Sequence, residues 1–352
     1  MRLLRTLSAC ACIAASLLLA ACHSMPDQSA SSATAGAVTL DSLAIPVSAE
    51  ENRAVSFTNK RSAYYYTQTH RNEHPEHAHF RGFNIAGRRI FSDYWLIVAG
   101  AALDPQTATV IVRPDALIRT YPQGITETLR LFDGQDVVEV EVSGAKDDVT
   151  LQLSGDTVAH VQSAQGIDEF TATQAGDSSA VDHIVVGRSG NRFLIAVGSS
   201  REAARTLHDR AVASAPAWQD ARSERLAAVI NDDHYLSSDD PRLTEALRWI
   251  QLTTDALVTR QRGDGIYAGL PWFNEYWGRD SFISLPGATL VTGHFEEARA
   301  GVEQGIEVER HGLINGYHAS PALSCLAGGR IRGAWGRNGQ RPAMGPGPCR
   351  SR

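Results

Sequence analysis

Cysteine is missing from almost the whole length of this 352-residue chain, with none between Cys22 and Cys325. That absence excludes a disulfide framework and a cysteine-based metal site from the body of the protein. Surplus positive charge is missing as well. A formal net charge of -6 leaves no electrostatic footprint for nucleic acid. The apolar run Ser8–Leu19 near the N-terminus falls short of the roughly 20 residues that a helix needs to span a bilayer. Acidic residues disappear after His318, where Arg, Gly, Pro and Ala dominate without the apolar periodicity that builds a core.

Arg2 and Arg5 precede the N-terminal apolar run, and Leu19-Ala20-Ala21-Cys22 closes it, the pattern of a secretory signal. The last four residues resemble the lipobox of bacterial lipoproteins, which makes Cys22 the expected lipidation site. Several acyl chains anchor stably where a single chain binds only marginally. His23, not Asp, follows the cysteine, a pattern similar to that of lipoproteins sorted to an outer membrane. The expected location is therefore a lipid-anchored position in a bacterial cell envelope, facing the periplasm or the surface. Residues 1–22 read as signal peptide and 23–37 as a flexible tether. At the other end, 318–352 reads as a disordered tail, either translated in a shifted frame of a GC-rich gene or natively basic and unstructured.

Between these ends the texture changes once. From 38 to 198 the chain alternates in strand period: Val138, Val140 and Val142 oppose Glu139 and Glu141, predicting one buried and one wet face. Val149, Leu151 and Leu153 repeat the alternation, and Ser189-Gly190-Asn191 marks a hairpin. Many short strands with polar turns predict an antiparallel β-sandwich. From 199 to 235 a helical linker is expected, with Ser200 capping a helix to about Val212 and a second helix after Pro216. Asp240-Pro241 opens a further helix whose stripe Leu243, Leu247, Ile250, Thr254 and Leu257 is expected to be buried. Two more helices follow, Phe282 to Val291 and a stripe of Phe295, Ala298, Val302 and Ile306, the αα-hairpin pattern of paired helices. Pro286 predicts a kink in the first.

The stretch Ala268 to Gly287, AGLPWFNEYWGRDSFISLPG, concentrates aromatic and ionic side chains. Sugars present apolar C–H faces and hydroxyl edges. Tyr267, Trp272, Phe273, Tyr276 and Trp277 are candidate platforms for the faces. Arg279 and Asp280 supply donors and acceptors for adjacent hydroxyls, and Gly278 opens close approach. An alternative is purely structural: buried aromatics, Asp280 as N-cap of a helix from Ser281, and Arg279 paired with Glu275.

Gly269 to Arg299, with Pro-Trp-Phe, Trp-Gly-Arg-Asp, Ile-Ser-Leu-Pro-Gly and Thr-Gly in that order, then Gly312-Leu313-Ile314, resembles the start of the catalytic domain of the amylo-alpha-1,6-glucosidase (glycogen debranching) family. Looser echoes occur at Phe80-Arg81-Gly82-Phe83 and Arg119-Thr120-Tyr121-Pro122. The resemblance implies a β plus α multidomain protein, in which the β-sandwich precedes the beginning of an (α/α)6 toroid at 236–317. It implies hydrolysis of α-glucosidic linkages, α-1,6 branches above all, in an α-glucan or maltooligosaccharide, without a cofactor or metal. Trp272, Trp277, Arg279 and Asp280 would bind the terminal glucose. The acid and base of an inverting glycosidase come from later helices in such proteins. The chain is accordingly expected to be a truncated, inactive form, or a non-catalytic glucan-binding surface lipoprotein. Asp264, Glu275, Glu296 and Glu297 are weak stand-ins for the missing pair. His70, His74, His77 and His79 read as a polar loop in preference to a metal site.

Overall fold

The computed structural model describes residues 38–310 apart from 74, 175–176, 233–237 and 261–263. Cys22, the tether and the 318–352 tail lie outside these residues. Up to Gly198 the chain is built of strands: β1 (Ile45–Val47), β2 (Ala54–Thr58), β3 (Ala63–Gln68), β4 (Gly82–Ile85), β5 (Arg88–Phe91), β6 (Asp93–Val98), β7 (Ala101–Ala102), β8 (Thr109–Val112), β9 (Leu117–Thr120), β10 (Thr126–Leu131), β11 (Val137–Ser143), β12 (Val149–Ser154), β13 (Val158–Ala164), β14 (Ile167–Gln174), β15 (Asp177–Ser189) and β16 (Arg192–Gly198). Every pairing is antiparallel. A nine-stranded sheet runs β1-β8-β9-β10-β11-β16-β15-β14-β13, beside a four-stranded sheet β2-β3-β4-β5 and a three-stranded sheet β12-β6-β7. One hydrophobic core joins all three through Tyr65 and Phe83, through Leu96 and Leu151, and through Leu129, Val138, Val140, Ile184 and Ile195. Ser189 pairs with Arg192 across the Gly190-Asn191 turn, as the hairpin signal predicts.

Around β11 and β16 the second face of the large sheet is not wet. Val138, Val140 and Val142 enter the core, yet Glu139 on the opposite face is fully buried, 3.1 Å from Arg130. Helix α1 (Arg201–Ile230) covers that side, packing Ala211 and Ala215 against Phe132, Val137, Leu194 and Ala196. Alternation shows that a strand has two different faces; it does not show what a distant helix will lay over the polar one.

Ser200 caps α1 by accepting the Ala203 N–H. The helix then continues unbroken through Pro216 to Ile230, correcting the expectation of two helices. Proline there removes the bond to the Val212 carbonyl. Val212 and Pro216 face solvent, which leaves that carbonyl accessible to water, while Ala211, Ala215, Leu226 and Ile230 anchor the buried side. Helix α2 (Pro241–Leu257) starts as predicted, with Asp240 accepting the Arg242 N–H and Pro241 at its first position. Its expected stripe is only partly covered, with Leu247, Thr254 and Leu257 half-buried. Leu252, Gln251 and Asp255 turn inward, Leu252 meeting Leu40, Leu43, Leu226 and Ile230, whereas Leu243 and Ile250 are exposed.

A small sheet follows: β17 (Val258–Arg260), β18 (Asp264–Gly269) and β19 (Phe273–Tyr276), in that order. Helix α3 (Gly278–Leu285) leaves it and passes into a wider π turn over Pro286–Leu290, so the predicted kink at Pro286 takes the form of a change in helical pitch. Gly293, at φ 76°, ends that segment before α4 (Phe295–Arg310). Val258 and Ile266 pack against Ala288 and Leu285, tying the small sheet to this turn. Among the described residues no helix is long and apolar enough to cross a membrane.

Candidate functional site

The aromatic stretch forms the β18–β19 hairpin and the first turn of α3, and the hairpin sorts its rings by accessibility. Tyr267 and Tyr276 pack together with ring centroids 5.8 Å apart, and both are buried. The Tyr276 hydroxyl donates to the Thr259 carbonyl at 2.6 Å. Gly265 is required beside it, since a Cβ there would lie 2.4 Å from the Tyr276 ring. These two tyrosines are core, which removes them from the candidate sugar platforms. Trp272 and Phe273 are half exposed, and Trp277 is partly buried.

Trp277 occupies the N-cap position of α3, so the helix starts at Gly278, three residues earlier than Ser281. Asp280 therefore is not the cap. It stands in the first turn, where a carboxylate complements the positive end of the helix dipole. Arg279 is 80% exposed, with its guanidinium 3.7 Å from the Asp280 carboxylate. A solvent-facing fork of donors thus stands beside an acceptor pair, the arrangement that grips neighbouring hydroxyls.

Trp272 lies apart from this trio. It lines a cleft of about 450 Å³ with Gly269, Leu270 and Pro271 on one side, Phe57, Thr58 and Lys60 on another, and Trp249, Leu252 and Asp255 of α2 on a third. Its indole stacks on His77, centroids 5.1 Å apart and 28° between planes. The described geometry puts Trp277, Arg279 and Asp280 together on α3 and Trp272 in the cleft at the hairpin turn.

Beneath the cleft is an ion cluster that sequence patterning did not reveal. The Asp255 carboxylate accepts from Lys60 Nζ at 3.1 Å and from Arg225 at 2.7 Å; Arg225 and Arg222 both reach Asp133. Burial pushes the Asp255 carboxyl up, but Lys60 and Arg225 outweigh it and hold it below its ordinary range. Further links fix the small sheet to the strands: Arg260 N–H donates to the Lys60 carbonyl at 2.9 Å, and Asn274 Nδ2 to the Tyr64 hydroxyl at 2.7 Å. No spacing rule announces such a cluster, because its members are scattered from Lys60 to Asp255.

Carboxylates near the motif are held in ion pairs. Asp264 pairs with Arg260 at 2.5 Å, Glu296 with Arg299 at 2.5 Å, and Glu297 with Arg260 at 3.6 Å and His294 at 3.8 Å. The Glu275 side chain and His74 lie outside the described residues. His70 meets the Thr69 hydroxyl at 3.1 Å and His77 the Tyr66 hydroxyl at 2.9 Å. Among the described residues no three His, Cys, Asp or Glu side chains stand together as a metal site.

Residues 242–323 match the family model of amylo-alpha-1,6-glucosidase. A stretch of 103 residues is 37% identical to part of the glycogen debranching enzyme of Saccharomyces cerevisiae, covering 26% of this chain and 6% of that enzyme. No solved structure matches significantly. The segment that carries the hairpin, the Trp-Gly-Arg-Asp turn and the helices around them is thus the part of the chain that is similar to the amylo-alpha-1,6-glucosidase family.

Proposed function

We propose that the chain is an α-glucan-binding member of a debranching glycosidase lineage, with Trp277, Arg279 and Asp280 gripping the terminal glucose and Trp272 contacting the same ligand. The observation that carries this reading is the position of the Trp-Gly-Arg-Asp segment. Within the family-matching region, a partly buried indole is followed at once by an exposed guanidinium and carboxylate on the first turn of a helix. A ring face for sugar C–H bonds next to paired polar groups is the chemistry of a pyranose subsite.

In this reading α2, α3 and α4 are the opening helices of an (α/α)6 toroid, and the antiparallel sheets before them are its β-sandwich companion. The substrates are glycogen-like glucans and maltooligosaccharides, with α-1,6 branch linkages as the bond class. Hydrolysis needs an acid and a base flanking the bond. The ion pairing of Asp264, Glu296 and Glu297 favours a binding role for the described segment over a catalytic one. The test combines two measurements on the full chain. Calorimetry with maltooligosaccharides should show binding that falls at least about tenfold in Trp277→Ala and in Arg279→Ala, roughly the loss of one charge-assisted contact. Branched dextrin should yield no glucose. Binding indifferent to both substitutions removes these residues from the site, and sustained glucose release overturns the non-catalytic role. The lipobox-like Leu19–Cys22 supports a lipid anchor in the cell envelope, to be tested by loss of labelled-palmitate incorporation in Cys22→Ser.

A further inference from the structure

A second pocket of about 250 Å³ lies beside the end of β3, lined among others by Tyr66, Asn72, Glu73, His77 and Arg81. Its size suits a single small ring better than a drug-sized ligand. Two features set it apart from an ordinary surface dimple. First, Arg81 Nε is buried with no hydrogen-bond partner among the described residues. Arg81 as a whole is half-buried, but a buried donor nitrogen is costly to leave unsatisfied. Second, the pocket is joined to the family-matching hairpin: Trp272 stacks on His77, the Tyr66 hydroxyl meets His77 Nδ1 at 2.9 Å, and Tyr66 lines both this pocket and the Trp272 cleft.

The charge balance of the pocket selects the ligand class. Asn72 donates to the Asp93 carboxylate at 3.1 Å, and that carboxyl is pushed up by burial and drawn back by Arg119 and Arg81. Glu73 at the rim is paired with Arg71, and Asp93 behind the pocket faces Arg119 as well as Arg81, so carboxylates and guanidiniums already offset one another around it and an anion gains little by entering. A neutral polyhydroxyl ring suits a fork of donors, a carboxylate acceptor, an amide and a stacked indole–imidazole pair. We propose that this pocket, whose His77 is stacked on Trp272, is an additional glucose subsite that holds a unit of an α-glucan other than the one gripped by Trp277, Arg279 and Asp280. The proposal rests on the α-glucan reading above and extends the ligand contact onto the strand-built part of the chain.

The experiment is calorimetric titration of the full chain, wild type and variants, with maltose and with maltoheptaose. Arg81→Lys keeps a positive charge near Asp93 and removes the fork. Glu73→Gln, at a half-exposed rim position, serves as a second variant should the first fail to fold by circular dichroism. Each is expected to weaken maltoheptaose binding at least about tenfold while maltose binding moves less than about twofold. If both variants bind maltoheptaose as wild type does while Trp277→Ala is impaired, the extra subsite is refuted and the α-glucan reading stands. Should the wild type bind neither sugar, both fall. Loss in Arg81→Lys with Trp277→Ala unaffected supports the pocket and removes Trp277 from the principal site.

Discussion

Replacing Asp255 with Asn removes the negative charge that meets both Lys60 and Arg225. Its side chain is 3% exposed, and its two oxygens lie 3.1 Å from Lys60 Nζ and 2.7 Å from an Arg225 nitrogen. Wild type balances Lys60, Arg222 and Arg225 against Asp133 and Asp255; the variant leaves three cations around Asp133. Each close pair is worth roughly 4 kcal/mol at an effective dielectric of 20. Much of that gross value is offset by desolvation, and breaking a buried pair from one side costs about 3–5 kcal/mol net. At an m-value near 3 kcal/mol/M, the urea midpoint should fall by roughly 1–1.7 M. The pH dependence has a definite sign. A carboxyl held below its ordinary range contributes stability that is complete above that range and is lost as pH falls through the folded-state value. The gap between wild type and Asp255→Asn should therefore be constant from about pH 5 to 8 and narrow below about pH 4. A midpoint shift under about 0.3 M, or a gap that widens in acid, would refute the reasoning.

Two further outcomes follow from the same packing logic. His208 is 4% exposed and neither ring nitrogen has a hydrogen-bond partner among the described residues; burial lowers its pKa below 6.5, against Asp209. The unfolded chain then binds the proton first, so stability should decline as pH falls below about 6.5, and His208→Leu should flatten that decline in thermal melts between pH 5 and 7. Gly82 has φ 86°, and an added Cβ would sit 2.0 Å from the Phe91 carbonyl oxygen. Gly82→Ala should cost about 3 kcal/mol or more, lowering the melting temperature by roughly 6–12 °C, and an unchanged melt would contradict the backbone geometry.

Signals that depend on local chemistry were legible in the sequence. The Ser200 cap, the Asp240-Pro241 start, the Gly190-Asn191 turn and the disturbance at Pro286 all appear where short-range stereochemistry puts them. Signals that depend on what lies opposite were not. The Leu243–Ile250 stripe has the period of a buried face, yet α2 docks through Leu252 and Asp255, because its neighbours are Leu226, Ile230 and the buried cations. Glu139 reads as solvent-facing until α1 is laid over it. At the candidate site, residue types pointed to sugar chemistry, but only coordinates separate the core rings Tyr267 and Tyr276 from the accessible Trp272 and Phe273. The stacking of His77 on Trp272 is not signalled by any spacing, since the two are nearly two hundred residues apart.

The Lys60–Asp255 pair also has a kinetic side. Its partners are 195 residues apart, and Asp133 and Arg225 enter from two further segments. Strand pairing and helix growth reward early, local contacts, whereas loop closure over such distances comes late. The cluster is accordingly expected to form after the rate-limiting barrier to folding. Weakening it should leave the refolding rate nearly untouched and appear almost wholly as faster unfolding, making these five side chains a latch on the lifetime of the native state.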